Sequence, residues 1–142
     1  MESKHNEQTI QTIAITSKHS FDETKTALEA TIPPLDLTAF VLPPRDFTGL
    51  LRTIGKNGQA LGYEIGNPLT AVTMVRYELD IAPFAPRRVL LRSDGDKVEL
   101  KVNPLAPLVA AYGVPEVDAV AQKLDADLTS VLRKVAGYKT DE

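Results

Sequence analysis

The segment from Arg88 to Asn103 restricts the fold of this chain more than any other. It reads Arg-Val-Leu-Leu-Arg-Ser-Asp-Gly-Asp-Lys-Val-Glu-Leu-Lys-Val-Asn, two runs of alternating apolar and polar residues joined through Asp94-Gly95. That is the pattern of an antiparallel hairpin closed by a tight turn. With Asp94-Gly95 as a two-residue turn, Ser93 faces Asp96, Leu91 faces Val98, Val89 faces Leu100 and Arg87 faces Val102. Val89, Leu91, Val98, Leu100 and Val102 then share one face. Arg88, Arg92, Lys97, Glu99 and Lys101, with Leu90, share the other. A slip of one residue would turn the apolar set into water, so the faces are strongly specified. Arg87 stands at the end of the apolar face.

The residues before the hairpin supply its neighbours. Ala60 to Ile65 sets Leu61, Tyr63 and Ile65 against Gly62 and Glu64, as in a half-buried strand. Gly66 provides a turn, Asn67 an N-cap and Pro68 the first helical position, where a missing amide costs nothing. Leu69, Val72, Met74, Val75 and Leu79 predict a helix running to Leu79, before Pro83 and Pro86 interrupt. Nearer the start, Ile10, Ile13 and Ile15 among threonines predict a strand from Thr9 to Thr16. Ser20-Phe21-Asp22-Glu23 is a capping box, in which Ser20 accepts from the Glu23 amide and Glu23 can reach back. It opens a helix with Phe21, Thr24, Leu28 and Ile32 on one face, stopped by Pro33-Pro34.

A short strand is expected from Leu37 to Leu42. Phe47, Leu50, Leu51 and Ile54 have helical spacing within Arg45 to Gly58, although Gly49, Gly55 and Gly58 weaken it. The last helix carries Val117, Val120, Ala121, Leu124, Leu128, Val131, Leu132 and Val135 on one stripe. Asp118, Lys123, Asp125, Asp127 and Lys134 lie mostly elsewhere, and Gly137 is the expected stop.

With 142 residues, 43% hydrophobic and 25% charged, the chain is expected to form one domain over residues 9–137, between tails at 1–8 and 138–142. It has no cysteine, which excludes disulfides, thiolate metal sites and a cysteine nucleophile. A formal charge of -3 argues against nucleic acid as a partner. Met1 to Gln8 lacks the apolar core of a signal peptide, and no apolar run approaches the length of a membrane span. A soluble, cytoplasmic domain is expected.

The order Tyr63-Glu64-Ile65-Gly66-Asn67-Pro68-Leu69, then Asp80-Ile81-Ala82-Pro83-Phe84-Ala85-Pro86-Arg87-Arg88-Val89, then Asn103-Pro104-Leu105, resembles the domain-of-unknown-function family 302. The capping-box helix and the closing helix after Pro115 match that family's layout. The resemblance covers roughly Thr9 to Gly137 and is weakest over Leu35 to Gly58. It implies an α+β domain, a curved antiparallel sheet with helices packed on one face, similar to a single TATA-binding-protein-like repeat. It also implies a homodimer. It carries over no catalytic or binding residues.

The candidate chemistry is sparse. Asn67-Pro68 at a helix start is either a plain cap or an anion site. Arg87 and Arg88, with Arg76, form either a carboxylate or phosphate clamp or ordinary ion pairs with Glu78, Asp80 or Glu99. Tyr63 is either a core aromatic or a rim hydroxyl able to orient a ligand or transfer a proton. Met74 fills a core gap or lines a cavity. His5 and His19 fit no metal-ligand spacing, so no metal and no cofactor is expected. Gly55-Lys56-Asn57-Gly58 lacks the order of a phosphate loop and reads as a flexible loop, with a lid as its functional alternative. Three functions follow from these residues. The first is a module binding a small anionic ligand, an organic acid, through Tyr63, Asn67, Arg76 and Arg87. The second is a cofactor-free lyase, isomerase or cyclase using Tyr63 or Glu64. The third is a dimeric interaction protein without a ligand.

Overall fold

The structure is a computed structural model that describes residues 11–32 and 39–139. Strands β1 (Ile13–Thr16), β2 (Phe40–Val41), β3 (Arg45–Asp46), β4 (Gln59–Gly66), β5 (Arg87–Asp94) and β6 (Lys97–Val102) form one sheet. Its order is β1-β6-β5-β4-β2, β3 also pairs with β4, and every pairing is antiparallel. The helices are α1 (Phe21–Thr31), α2 (Thr48–Thr53), α3 (Pro68–Val75), α4 (Leu105–Val109) and α5 (Pro115–Val135), with 3₁₀ turns at Leu79–Phe84 and Ala110–Tyr112. This is an α+β architecture with an open sheet. Thr9, Ile10, Pro33, Pro34, Leu37 and Thr38, each part of a sequence expectation, lie outside the described residues, as does His5.

The hairpin keeps its expected faces but not its expected register. Val89 pairs with Val102, Leu91 with Leu100, Ser93 with Val98 and Asp94 with Lys97. The turn is therefore Gly95-Asp96, with Gly95 at φ +67° in its first central position. The offset from the sequence expectation is two residues, one full period of a strand, and so the same side chains stay on the same faces. The alternation in β4 holds as well, with Leu61, Tyr63 and Ile65 buried.

Two apolar clusters make the interior. The larger lies between the sheet and α1 with the C-terminal half of α5, and includes Leu28, Tyr63, Leu91, Leu100, Leu132 and Val135. The smaller lies beyond the sheet end, where Met74, Ile81, Leu105, Val109, Val117 and Ala121 join α3, α4 and the first half of α5. Burying each large side chain contributes roughly 1.5–3 kcal/mol. One 21-residue helix thus ties both clusters together. It ends in a Schellman motif: Gly137, at φ +95°, donates to Lys134 O and Tyr138 N–H to Arg133 O, both at 3.0 Å.

Local caps explain where other helices begin and end. Ser20 Oγ accepts from Glu23 N–H at 3.1 Å, while the Glu23 carboxylate lies 3.6 Å from His19 Nδ1. Phe21, Thr24, Leu28 and Ile32 are all buried. The α3 helix stops at Val75, four residues before the expected Leu79. Its last amides tighten, Tyr77 N–H bonding Met74 O at 3.0 Å, and the Glu78 side chain starts the next turn by accepting from Asp80 N–H at 3.2 Å. Leu69, Val72 and Leu79 are exposed, so apolar spacing there did not mark a single buried face.

Candidate functional site

A cavity of about 180 Å³ opens where the two apolar clusters meet. Ile32, Ile65, Leu128 and Val131 reach it from the larger cluster, and Met74, Phe84, Leu105 and Leu124 from the smaller. The sheet ends at Gly66 and Arg87, so its wall stops while α5 continues past it. Ala71 of α3 closes one side, and Asn67, Arg87 and Asp127 supply the charged and amide groups of the lining.

Asn67 holds the start of α3. Its Oδ1 accepts from Thr70 N–H at 3.1 Å, and its carbonyl accepts from Ala71 N–H at 2.9 Å. Gly66, just before it, is packed so closely that a Cβ there would lie 2.6 Å from Phe40 Cε1 and Cζ and 3.1 Å from Pro86 Cβ. That explains a glycine at the strand end without appeal to a ligand.

Arg87 is closely anchored. Its Nη2 lies 2.9 Å from Asp125 Oδ1, with side chains 11% and 15% exposed, and donates to Asn103 O at 2.9 Å. Asp125 also accepts from Leu105 N–H at 2.7 Å and from Ala106 N–H at 2.8 Å. One carboxylate therefore caps α4 from a distant helix and neutralises a guanidinium on the sheet. Burial pulls the Arg87 guanidinium below its ordinary value, and the charge and hydrogen bond of Asp125 oppose that pull. Arg87 Nη1 is covered and makes no hydrogen bond among the described residues. The Asn103-Pro104-Leu105 and Pro86-Arg87 motifs meet at this brace.

The other expected site residues stand apart. Tyr63, 1% exposed, donates its hydroxyl to Glu29 Oε1 at 3.0 Å. Burial first, then the hydrogen bond and charge of Glu29, raise its phenol well above the usual range. Glu64 faces the opposite side of the sheet, 3.9 Å from Arg88 Nε. Arg76 stacks on Tyr77, 4.7 Å from its ring centroid, and donates to the Tyr77 hydroxyl at 2.8 Å. The three arginines consequently make no joint clamp: each has its own partner. The Gly55–Gly58 loop sits beside Ser93, at the opposite end of β4 from the cavity, roughly 20–25 Å away along the strand. It does not cover that cavity.

The spacing sets Asp125 and Asp127 mostly off the apolar stripe of α5, yet one holds Arg87 and the other borders the cavity. A finer helical projection would have flagged Asp125. At about 100° per residue it falls only about 20° from the direction of Leu132, at the margin of the apolar stripe. Among the described residues no group of three or more histidines or acidic residues could hold a metal ion. No described helix is long and apolar enough to cross a membrane.

Fold and site together define an open antiparallel sheet roofed by helices, with a small apolar cavity at the seam of two cores. The chain belongs to the family described as Domain of unknown function DUF302, whose model matches residues 13–135. The crystal structure of an uncharacterized conserved DUF302 protein from Bacillus stearothermophilus is similar. Its TM-score is 0.75 at 18% sequence identity, covering 87% of this chain and 97% of that one, so the likeness is one of fold. No curated protein matches the sequence.

Proposed function

We propose that the protein is a binding module for a small, largely apolar molecule held in the cavity between α3, α5 and the end of the sheet. The observation that carries this reading is the cavity itself. Its 180 Å³ exceeds the roughly 150 Å³ of an engineered apolar cavity that admits benzene. Asn67 and Arg87 belong to this site. Tyr63 and Arg76, although expected in it, are not among the residues lining the cavity. Proton transfer by Tyr63 or Glu64 gains no support from their placement, since neither lines the cavity.

Thermal melting across a panel of small metabolites tests the proposal. A ligand present at a hundred times its Kd stabilises by about 2.7 kcal/mol, a rise in Tm of roughly 8 °C for a chain of this size. Ala71→Phe, which fills the cavity from α3, should abolish the shift. A panel without any shift, or one whose shifts survive Ala71→Phe, would count against it.

A homodimer is the assembly we propose alongside this reading. The exposed Leu69, Val72 and Leu79 support a contact on the α3 side. Sedimentation at micromolar concentration showing only monomer would remove it, and the binding site does not depend on it.

A further inference from the structure

We infer that the molecule this cavity takes is uncharged, with an apolar body and an oxygen acceptor directed at Asn67. The inference rests on the binding reading above and replaces the organic acid expected from the sequence. That expectation needed a guanidinium without a counter-ion or a helix N-terminus with several free amides, and among the described residues lining the cavity neither is present.

The guanidinium of Arg87 already has its counter-ion. Asp125 lies 2.9 Å away, and an anion entering beside it would bring a second negative charge to one positive charge in a poorly solvated place. Displacing Asp125 instead would strip the caps from Leu105 and Ala106. Desolvating an unpaired carboxylate is costly, and among the described residues no other cation lines the cavity to offset it.

The start of α3 is equally closed to an anion. Pro68 has no N–H, Thr70 N–H is bonded to Asn67 Oδ1 and Ala71 N–H to Asn67 O. Only Leu69 N–H is left of the first turn, whereas anion sites at helix starts use several converging amides. A cation fares no better. Asp125 already accepts from three donors and does not line the cavity, and Asp127, which does, is paired with Lys123 Nζ at 2.6 Å. Among the described residues lining the cavity, charges of both signs are thus paired before any ligand arrives. Asn67 uses its oxygen as the cap, and neither its carboxamide N–H groups nor Arg87 Nη1 make a hydrogen bond among the described residues. They suit a carbonyl, ether or hydroxyl oxygen.

The protein contains two methionines, Met1 and Met74, and Met74 lines the cavity. Its ¹³C-labelled methyl signal therefore reports occupancy directly, with Met1 as the internal control. The full chain would be titrated with toluene, acetophenone, benzoate and benzylammonium. Acetophenone should move the Met74 signal with an affinity at least about tenfold above benzoate and benzylammonium. Asn67→Ser keeps a capping hydroxyl and removes the carboxamide. It should weaken acetophenone about two- to tenfold while leaving toluene unchanged. Benzoate or benzylammonium binding as tightly as acetophenone would overturn the inference and leave the binding site standing. An unchanged acetophenone affinity in Asn67→Ser would overturn the acceptor assignment. Failure of every probe, toluene included, to move Met74 would remove the binding reading itself.

Discussion

Replacing Asp125 by Asn tests whether Arg87 is a structural brace. The change preserves shape and removes the charge. The Asn oxygen can still accept from Arg87 or Leu105, but its amide would face the Ala106 N–H, now 2.8 Å from Oδ2, as donor against donor. Breaking one partner of a fully buried ion pair costs about 3–5 kcal/mol, much of it from the charge left behind. Here the side chains retain 11% and 15% exposure, so water offsets part of that, and a loss of about 2–4 kcal/mol is expected. For this chain length that lowers Tm by roughly 6–12 °C. Equilibrium urea unfolding followed by circular dichroism would measure it, with an unchanged m-value showing that the folded state keeps its extent. The double variant Arg87→Met/Asp125→Asn removes the orphaned charge as well. It should be less destabilised than the sum of the single variants by at least about 1 kcal/mol. A cost for Asp125→Asn below about 0.5 kcal/mol, or strictly additive losses, would refute the brace.

Three further outcomes follow from the same geometry. The Tyr63 phenol is raised in the folded state above its ordinary value near 10; its contribution to stability is therefore complete below pH 10 and declines as pH rises beyond it. Tyr63→Phe should flatten the fall in unfolding free energy measured from pH 9 to 11.5, and an identical slope would contradict the assignment. Gly66→Ala places a methyl 2.6 Å from the Phe40 ring and should cost about 1–3 kcal/mol, partly restored by Phe40→Leu in a urea titration. Leu91, fully buried between sheet and helices, should cost about 2–5 kcal/mol when changed to Ala, read as a shift in the urea midpoint.

The parts of the fold legible in the sequence are those with a short period. Two-residue alternation identified the buried faces of β4, β5 and β6, and the 3.6-residue stripe identified α5. The hairpin register escaped by two residues because Asp94-Gly95 and Gly95-Asp96 are both acceptable turn pairs. Each leaves the same side chains inward, so burial could not choose between them. At α3 the apolar residues suggested a longer helix, but Leu69, Val72 and Leu79 face solvent and the Glu78 cap begins a new turn. Asn67 and Arg87 were singled out and do line the cavity. Tyr63 and Arg76 do not, because their partners, Glu29 and Tyr77, could not be chosen from spacing.

What the chain's own order of residues determined was local: caps at Ser20 and Asn67, the stop at Gly137, and which side of each strand or helix avoids water. These depend on neighbours within a few positions, where propensity and periodicity act. Only the tertiary structure decided that Asp125 neutralises Arg87, and that two apolar clusters meet imperfectly between β4, α3 and α5. Both outcomes depend on how elements far apart in the chain stack against one another. Packing in three dimensions, rather than pattern along the chain, sets which charge is balanced and where space remains.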